Sequence, residues 1–213
     1  MGNVGFGRFL VALVALIGSG AAAAGAITGS LWINQPGVAG DAKLTSVPGL
    51  GTADATFAPG VFNYDSNVGG YTIGGFLNNP TFNNQSAAFI LNGGAGAGLN
   101  NTVFYFTGTI GLHAGLNSFV VGHDDGLQMN IDGIGLVVDQ PGPTSFTNTP
   151  FTVTAATAGN YTFELVYGEC CGPPAELLLE INNIVIGAPE PGTLALLGLG
   201  LASLGFSRRR KLS

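Results

Sequence analysis

The sequence predicts an all-β protein, an antiparallel β-sandwich, on three observations. Between residues 101 and 187, apolar and polar residues alternate with a period of two. β-branched and aromatic residues crowd those windows, and Gly, Pro and Asn punctuate them at the roughly 8–12-residue spacing of an all-β domain. The composition is unusual, with 36 Gly in 213 residues and only 8% charged residues, against about 7% Gly and 25% charged in ordinary soluble domains. A hydrophobic content of 46% excludes a disordered chain. The glycines follow no G-x-y period, which excludes collagen.

Taken in order, residues 1–26 read as a secretory signal peptide: Arg8, then the apolar and small-residue run 9–24, FLVALVALIGSGAAAA. An uncleaved anchor is the alternative. The body spans residues 27–187, long enough to bury a core. Its first part is less legible, with two or three strands expected, among them Ser30 to Asn34 and Ala87 to Leu91. Asn78 to Asn84 and Gly93 to Gly98 read as loops. The clear strands are Thr102 to Ile110, Asn117 to Gly122, Leu127 to Ile131, Gly135 to Asp139, Phe151 to Ala155, Tyr161 to Tyr167 and Ala175 to Ile181. No helix longer than two turns is expected in the body.

The stretch Asp124 to Gly133, DDGLQMNIDG, has two readings. An EF-hand-type loop places Asn130, Asp132, Gly133 and Asp139 at positions 3, 5, 6 and 12, but Gln128 stands where an Asp is needed. A hairpin is the better fit, with Asp132-Gly133 as the two positive-φ residues of a type I′ turn and Leu127, Met129 and Ile131 on one buried face. Asp132 is then a turn residue. Asp124 and Asp125 remain, either splayed into solvent or held together by a cation.

Between residues 27 and 187 there is one cation, Lys43, against eleven acids, a net charge of -10. Such a body has nothing with which to grip a phosphate backbone, which excludes nucleic acid as a partner. Its carboxylates suit hard cations with oxygen ligands. No nucleophile motif accompanies His113 or His123, and no catalytic constellation is visible, so an enzyme is not expected. Either histidine reads as a solvated loop or capping residue. The adjacent Cys170 and Cys171 allow a vicinal disulfide, two free thiols or an intermolecular bridge. The first is favoured in an exported protein.

After the body comes Pro189-Glu190-Pro191, then the apolar run 193–206, then Arg208-Arg209-Arg210-Lys211. That run is shorter than the roughly 20 residues needed to span a bilayer, and the cations after it mark a cytoplasmic end. Residues 188–213 resemble the PEP-CTERM sorting signal of Gram-negative, exopolysaccharide-producing bacteria. The resemblance implies an exosortase-type processing protease as partner, a short hydrophobic helix held transiently in the inner membrane, and delivery to the envelope, outer surface or extracellular matrix.

The run Gly122-His123-Asp124-Asp125-Gly126, the turn Ile131-Asp132-Gly133, Val137-Val138-Asp139, the stretch Gly159 to Tyr167 and Gly172-Pro173-Pro174-Ala175-Glu176-Leu177 together resemble the PA14 domain and the flocculin-type and GLEYA adhesins. That resemblance implies Ca²⁺ held by Asp124 and Asp125 across a cis peptide, with Glu169 at the position of the family's Asn ligand. It further implies a glycan completing the coordination, edged by His123, Gly172 and Pro173. The function expected is carbohydrate binding by an exported, lectin- or adhesin-like protein. A structural protein of envelope or biofilm, without metal or sugar site, is the alternative.

Overall fold

Two antiparallel sheets pack face to face in the computed structural model, which describes Gly25, residues 27–78, the backbone of 88–89, and residues 94–187. The leader expected over 1–26 lies outside these residues apart from Gly25, and the sorting segment 188–213 lies outside them entirely. Among the described residues, no helix is long and apolar enough to cross a membrane.

The strands predicted by alternation form and are mostly longer than expected. They are β5 (Thr102–Leu112), β6 (Gly115–Asp124), β7 (Gly126–Ile131), β8 (Gly135–Gln140), β9 (Thr147–Ala155), β10 (Gly159–Glu169) and β11 (Glu176–Ile181). Before them come β1 (Thr28–Trp32), β2 (Ala55–Phe57), β3 (Asn63–Asp65) and β4 (Ala88–Phe89), and β12 (Ile184–Val185) follows. β1 stops short of its expected end because Asn34 turns to a φ of +58°. One sheet has the order β4-β2-β1-β5-β10-β7-β8, and the other β12-β11-β6-β9 with β3 also pairing β11.

The β7–β8 hairpin forms, but not on the expected turn. Ile131 pairs with Gly135, the amide of Ile134 donates to the carbonyl of Ile131, and positive φ falls on Gly133 and Gly135. Asp132 is not in the left-handed region, so the turn is not type I′. A bulge at Met129/Asn130 accommodates the longer connection.

Leu127, Met129 and Ile131 face inward with Phe104, Phe106, Phe163, Leu165 and Tyr167, against Phe119, Val121, Leu177 and Leu179 of the second sheet. Aromatic rings run through this core in contact: Phe62 to Phe106 at 4.8 Å between centroids, Tyr64 to Phe76 at 5.2 Å, and Phe76 to Tyr167 at 6.2 Å. Tyr167 is thereby locked with its hydroxyl pointing to one end of the sandwich.

A second apolar cluster lies on the outer face of the larger sheet. Val103 and Val166 are covered there by Ala39 and Ala42, with Leu44, Val47 and Cys170 packed around them. The cover is a strap made of the short helix α1 (Pro36–Ala39) and the 3₁₀ segment Leu44–Gly49. It is tied down by the amide of Ala42 on the Pro141 carbonyl and the amide of Leu44 on Oε1 of Gln128. Two glycines opposite one another, Gly126 on β7 and Gly168 on β10, make room for it. A Cβ on Gly168 would lie 2.4 Å from the Ala39 carbonyl oxygen, and one on Gly126 would lie 2.1 Å from that of Pro141. The strap and the 141 loop therefore close directly over the residues that follow Asp125 and precede Glu169.

Candidate metal centre and binding cleft

Each acid of the expected ligand set sits at a strand end. Asp124 is the last residue of β6, opposite Glu176 on β11, and Asp125 fills the one-residue corner before β7. Glu169, expected in a loop after the tyrosine strand, is instead the last residue of β10, paired with Thr102. The Asp124–Asp125 peptide is cis, as is Pro173–Pro174. All three carboxylates are buried, Glu169 at 0%, Asp125 at 4% and Asp124 at 7% exposure, and one oxygen from each lies within 4.8 Å of the others.

Their partners are mostly amides and hydroxyls. Oδ2 of Asp125 accepts from the amides of Cys170 (3.0 Å) and Cys171 (3.2 Å), and Oδ1 accepts from the amide of Thr144 (3.2 Å). Tyr71 donates its hydroxyl to Oε1 of Glu169 at 2.6 Å. The Tyr167 hydroxyl reaches the Asp124 carbonyl and lies 2.9 Å from Oε2 of Glu169. Among the described residues the only Lys or Arg is Lys43, which pairs with Asp41 at 2.7 Å. Three buried acids are thus gathered, among the described residues, with no Lys or Arg to neutralise them and only the His123 imidazole beside Asp124, an arrangement that costs several kcal/mol per ionised group unless a charge is supplied.

The electrostatics follow from that. Burial pushes the Glu169 carboxyl up to about 8, against the two tyrosine hydroxyls that hold its ionised form, and Asp125 and Asp124 push the same way as burial. Asp124 is also raised, by burial first and by Asp125 second, with the Phe146 amide and the His123 imidazole opposing. Glu176 is raised by burial, then by Asp65 and Asp124.

Asp124 and Asp125 form part of an open cleft of about 360 Å³ walled by Pro143, Thr144 and Ser145 on one side and by Cys171 to Pro174 on the other. Gly172, with φ +102°, and the exposed Pro173 stand in that wall. Cys170 and Cys171 are joined in a disulfide, Cys170 half-buried and Cys171 exposed at the cleft. Glu169 is not in the lining and reaches the carboxylate group from beneath.

His123 requires a correction. It alternates inward on β6, is fully buried, and places Nδ1 2.6 Å from the Asp125 carbonyl oxygen and Nε2 2.9 Å from Oε1 of Gln140. It is neither a solvated loop residue nor a ligand contact; it buttresses the Asp125 backbone. Asp132 and Asp139 are not part of the carboxylate trio, and Asp139 accepts from Gln128 Nε2 at 2.6 Å. His113 is exposed elsewhere. Tyr71, Tyr167 and Thr144 were not anticipated as site residues. Tyr167 had a signal, an aromatic on the inward register two residues before Glu169. Tyr71 and Thr144 come from irregular segments, where no periodicity marks them.

The three acids fit a hard divalent cation. Ca²⁺ takes oxygen ligands at roughly 2.3–2.6 Å, so two of its ligands lie at most about 5 Å apart, and the three oxygens meet that limit. The disulfide leaves no thiolate for a soft metal.

Comparison with known proteins bears on both parts of the chain. Residues 188–211 match the PEP-CTERM protein-sorting motif. This marks the chain as exported and associated with the cell envelope. The body is similar to the PA14 sugar-binding domain from an RTX adhesin, with 22% identity and a TM-score of 0.53 over 73% of this chain and 88% of that one. It is also similar to the PA14 domain of the antifreeze protein MpAFP, with 15% identity and a TM-score of 0.55 over 80% and 89% of the two chains. The body has the PA14 fold. Comparison with curated protein sequences gave no match.

Proposed function

We propose that the PA14-like body is a calcium-dependent carbohydrate-binding module of an exported envelope or matrix protein. The observation that carries this reading is the trio Asp124, Asp125 and Glu169, buried together with no Lys or Arg against it among the described residues, with two of its members open to a cleft. Asp124 and Asp125 hold the ion from the cleft side and Glu169 from below. The ion's remaining positions face the cleft, where vicinal hydroxyls of a sugar replace water as oxygen ligands. Tyr71, Tyr167 and the Thr144, Cys170 and Cys171 amides keep the carboxylates in place, so that little reordering is needed when ion and sugar arrive. A PA14 sugar-binding domain sharing the fold supports the reading.

The leader 1–26 directs export, and an exosortase-type protease processes the segment 188–213 at Pro189-Glu190-Pro191 after transient anchoring in the inner membrane, with Arg208, Arg209 and Arg210 on the cytoplasmic side. Delivery is to the outer surface or matrix of a Gram-negative cell. A glycan array probed with and without EGTA tests the binding mechanism: sugar binding that vanishes on chelation and returns with Ca²⁺ is expected. Binding indifferent to EGTA removes calcium from the mechanism, and no glycan binding in either condition leaves the structural-protein alternative.

A further inference from the structure

We infer that the Cys170–Cys171 disulfide is a positioning device for Asp125, and that reducing it weakens the cation site. The inference rests on the calcium reading above and adds a redox control to it.

Two consecutive amides, those of Cys170 and Cys171, converge on the single oxygen Oδ2 of Asp125 at 3.0 and 3.2 Å. Successive N–H groups aimed at one anion form a backbone nest, which requires both peptide planes to turn the same way. In an open chain that arrangement is one of many and costs conformational entropy to hold. Here the two residues are closed into a ring by their own side chains.

The ring is also anchored at both ends. On one side Cys170 packs into the outer apolar cluster with Val103 and Val166, directly after Glu169 at the end of β10. On the other, Cys171 is exposed and stands in the cleft wall ahead of Gly172. The bridge therefore links two members of the carboxylate trio, Glu169 through the chain and Asp125 through the amides. Partners that orient metal ligands commonly carry about 10–100-fold in metal affinity.

The exposed Cys171, in the wall of the open cleft, makes the switch accessible. A dithiol reductant supplies two electrons and two protons: its thiolate attacks one sulfur, the Cys170–Cys171 bond breaks, two thiols form, and the reductant leaves as its own disulfide. The amides are then free to turn away from Asp125. Oxidation by a disulfide donor reverses the step.

The test is calorimetric titration of the purified full chain with CaCl₂ in three states: oxidised, reduced with dithiothreitol, and reoxidised. The C170S/C171S double variant is titrated alongside, with thermal melts in EDTA and hydrogen exchange at the 170 and 171 amides as controls. We expect Kd for Ca²⁺ to rise by roughly 10–100-fold on reduction and to return on reoxidation. C170S/C171S should match the reduced protein and ignore dithiothreitol, and amide protection at 170 and 171 should fall with the affinity. A melting temperature in EDTA that barely changes separates positioning from loss of fold, and should the double variant not fold, the reduced and reoxidised wild type decide alone. Equal affinity in the oxidised and reduced proteins overturns this inference and leaves the calcium reading standing. An oxidised protein that takes up no calcium overturns the calcium reading, and this inference with it.

Discussion

At the residue scale, the acids at the end of the sandwich behave as a charge deficit. Asp124→Asn removes one of three mutually repelling groups, and the cation-free protein should melt no lower than wild type. The calcium-induced rise in melting temperature, about 2.7 kcal/mol of stabilisation at 100 times Kd for one site, should largely disappear. Differential scanning fluorimetry in EDTA and in Ca²⁺ reads both. The pH dependence has a definite sign. Glu169 ordinarily titrates at 4.5 and is raised to about 8 by burial, so the folded state holds its proton more tightly than the unfolded one. Its contribution is fully present below about pH 4.5 and is lost as pH rises towards 8. Calcium requires the ionised form and restores what was lost. The calcium-induced shift should therefore be larger at about pH 8.5 than at about pH 5.5, and a shift largest at acid pH contradicts this assignment. Tyr167→Phe strips the Asp124 carbonyl and Glu169 of a shared donor in a buried setting and should cost about 1–3 kcal/mol in denaturant unfolding.

At the element scale, Gly126 and Gly168 decide whether the strap can close. Gly168→Ala drives a Cβ to within 2.4 Å of the Ala39 carbonyl oxygen, backbone that cannot rotate away. Overpacking of this kind costs about 1–3 kcal/mol or more, measurable by urea unfolding, and an unchanged midpoint shows that the strap does not lie against β10. The strand reading explains why this element was hard to foresee. Period-two alternation makes β5 to β11 legible, because each turns one register into the core and a slip of one residue would move that set out of it; β7 and the end of β10 are covered on the other face as well. The strap has no period, since Pro36 to Gly49 buries scattered small residues against a sheet face. β2 and β3, of three residues each, are too short for alternation to register. Asp132-Gly133 looks like a type I′ turn, but positive φ falls on Gly133 and Gly135 and not on Asp132, in a hairpin whose register shifts at Met129/Asn130. Asp124 and Asp125 were legible as a pair. Their surroundings were not, because Tyr71, Thr144 and the cysteine amides reach them from segments distant in sequence, and His123 turned inward where a loop residue was expected.

For the whole molecule, charge sets the partner class. Residues 27–187 carry one cation against eleven acids, so the body repels polyanions at low salt, where screening is weak. Neutral glycans should bind and uronate-rich ones should not, with the difference shrinking as ionic strength rises. Surface plasmon resonance over a salt series checks this. Replacing Pro189, Glu190 and Pro191 by alanine should block processing of the tail, so that fractionation finds the protein retained with the cell instead of released.

The most direct measurement of the central claim is anomalous diffraction from crystals grown with calcium. An ion is expected within about 2.3–2.6 Å of carboxylate oxygens of Asp124, Asp125 and Glu169, at the base of the cleft beside Gly172 and Pro173. Well-ordered crystals grown in millimolar calcium that show no anomalous peak there would contradict it.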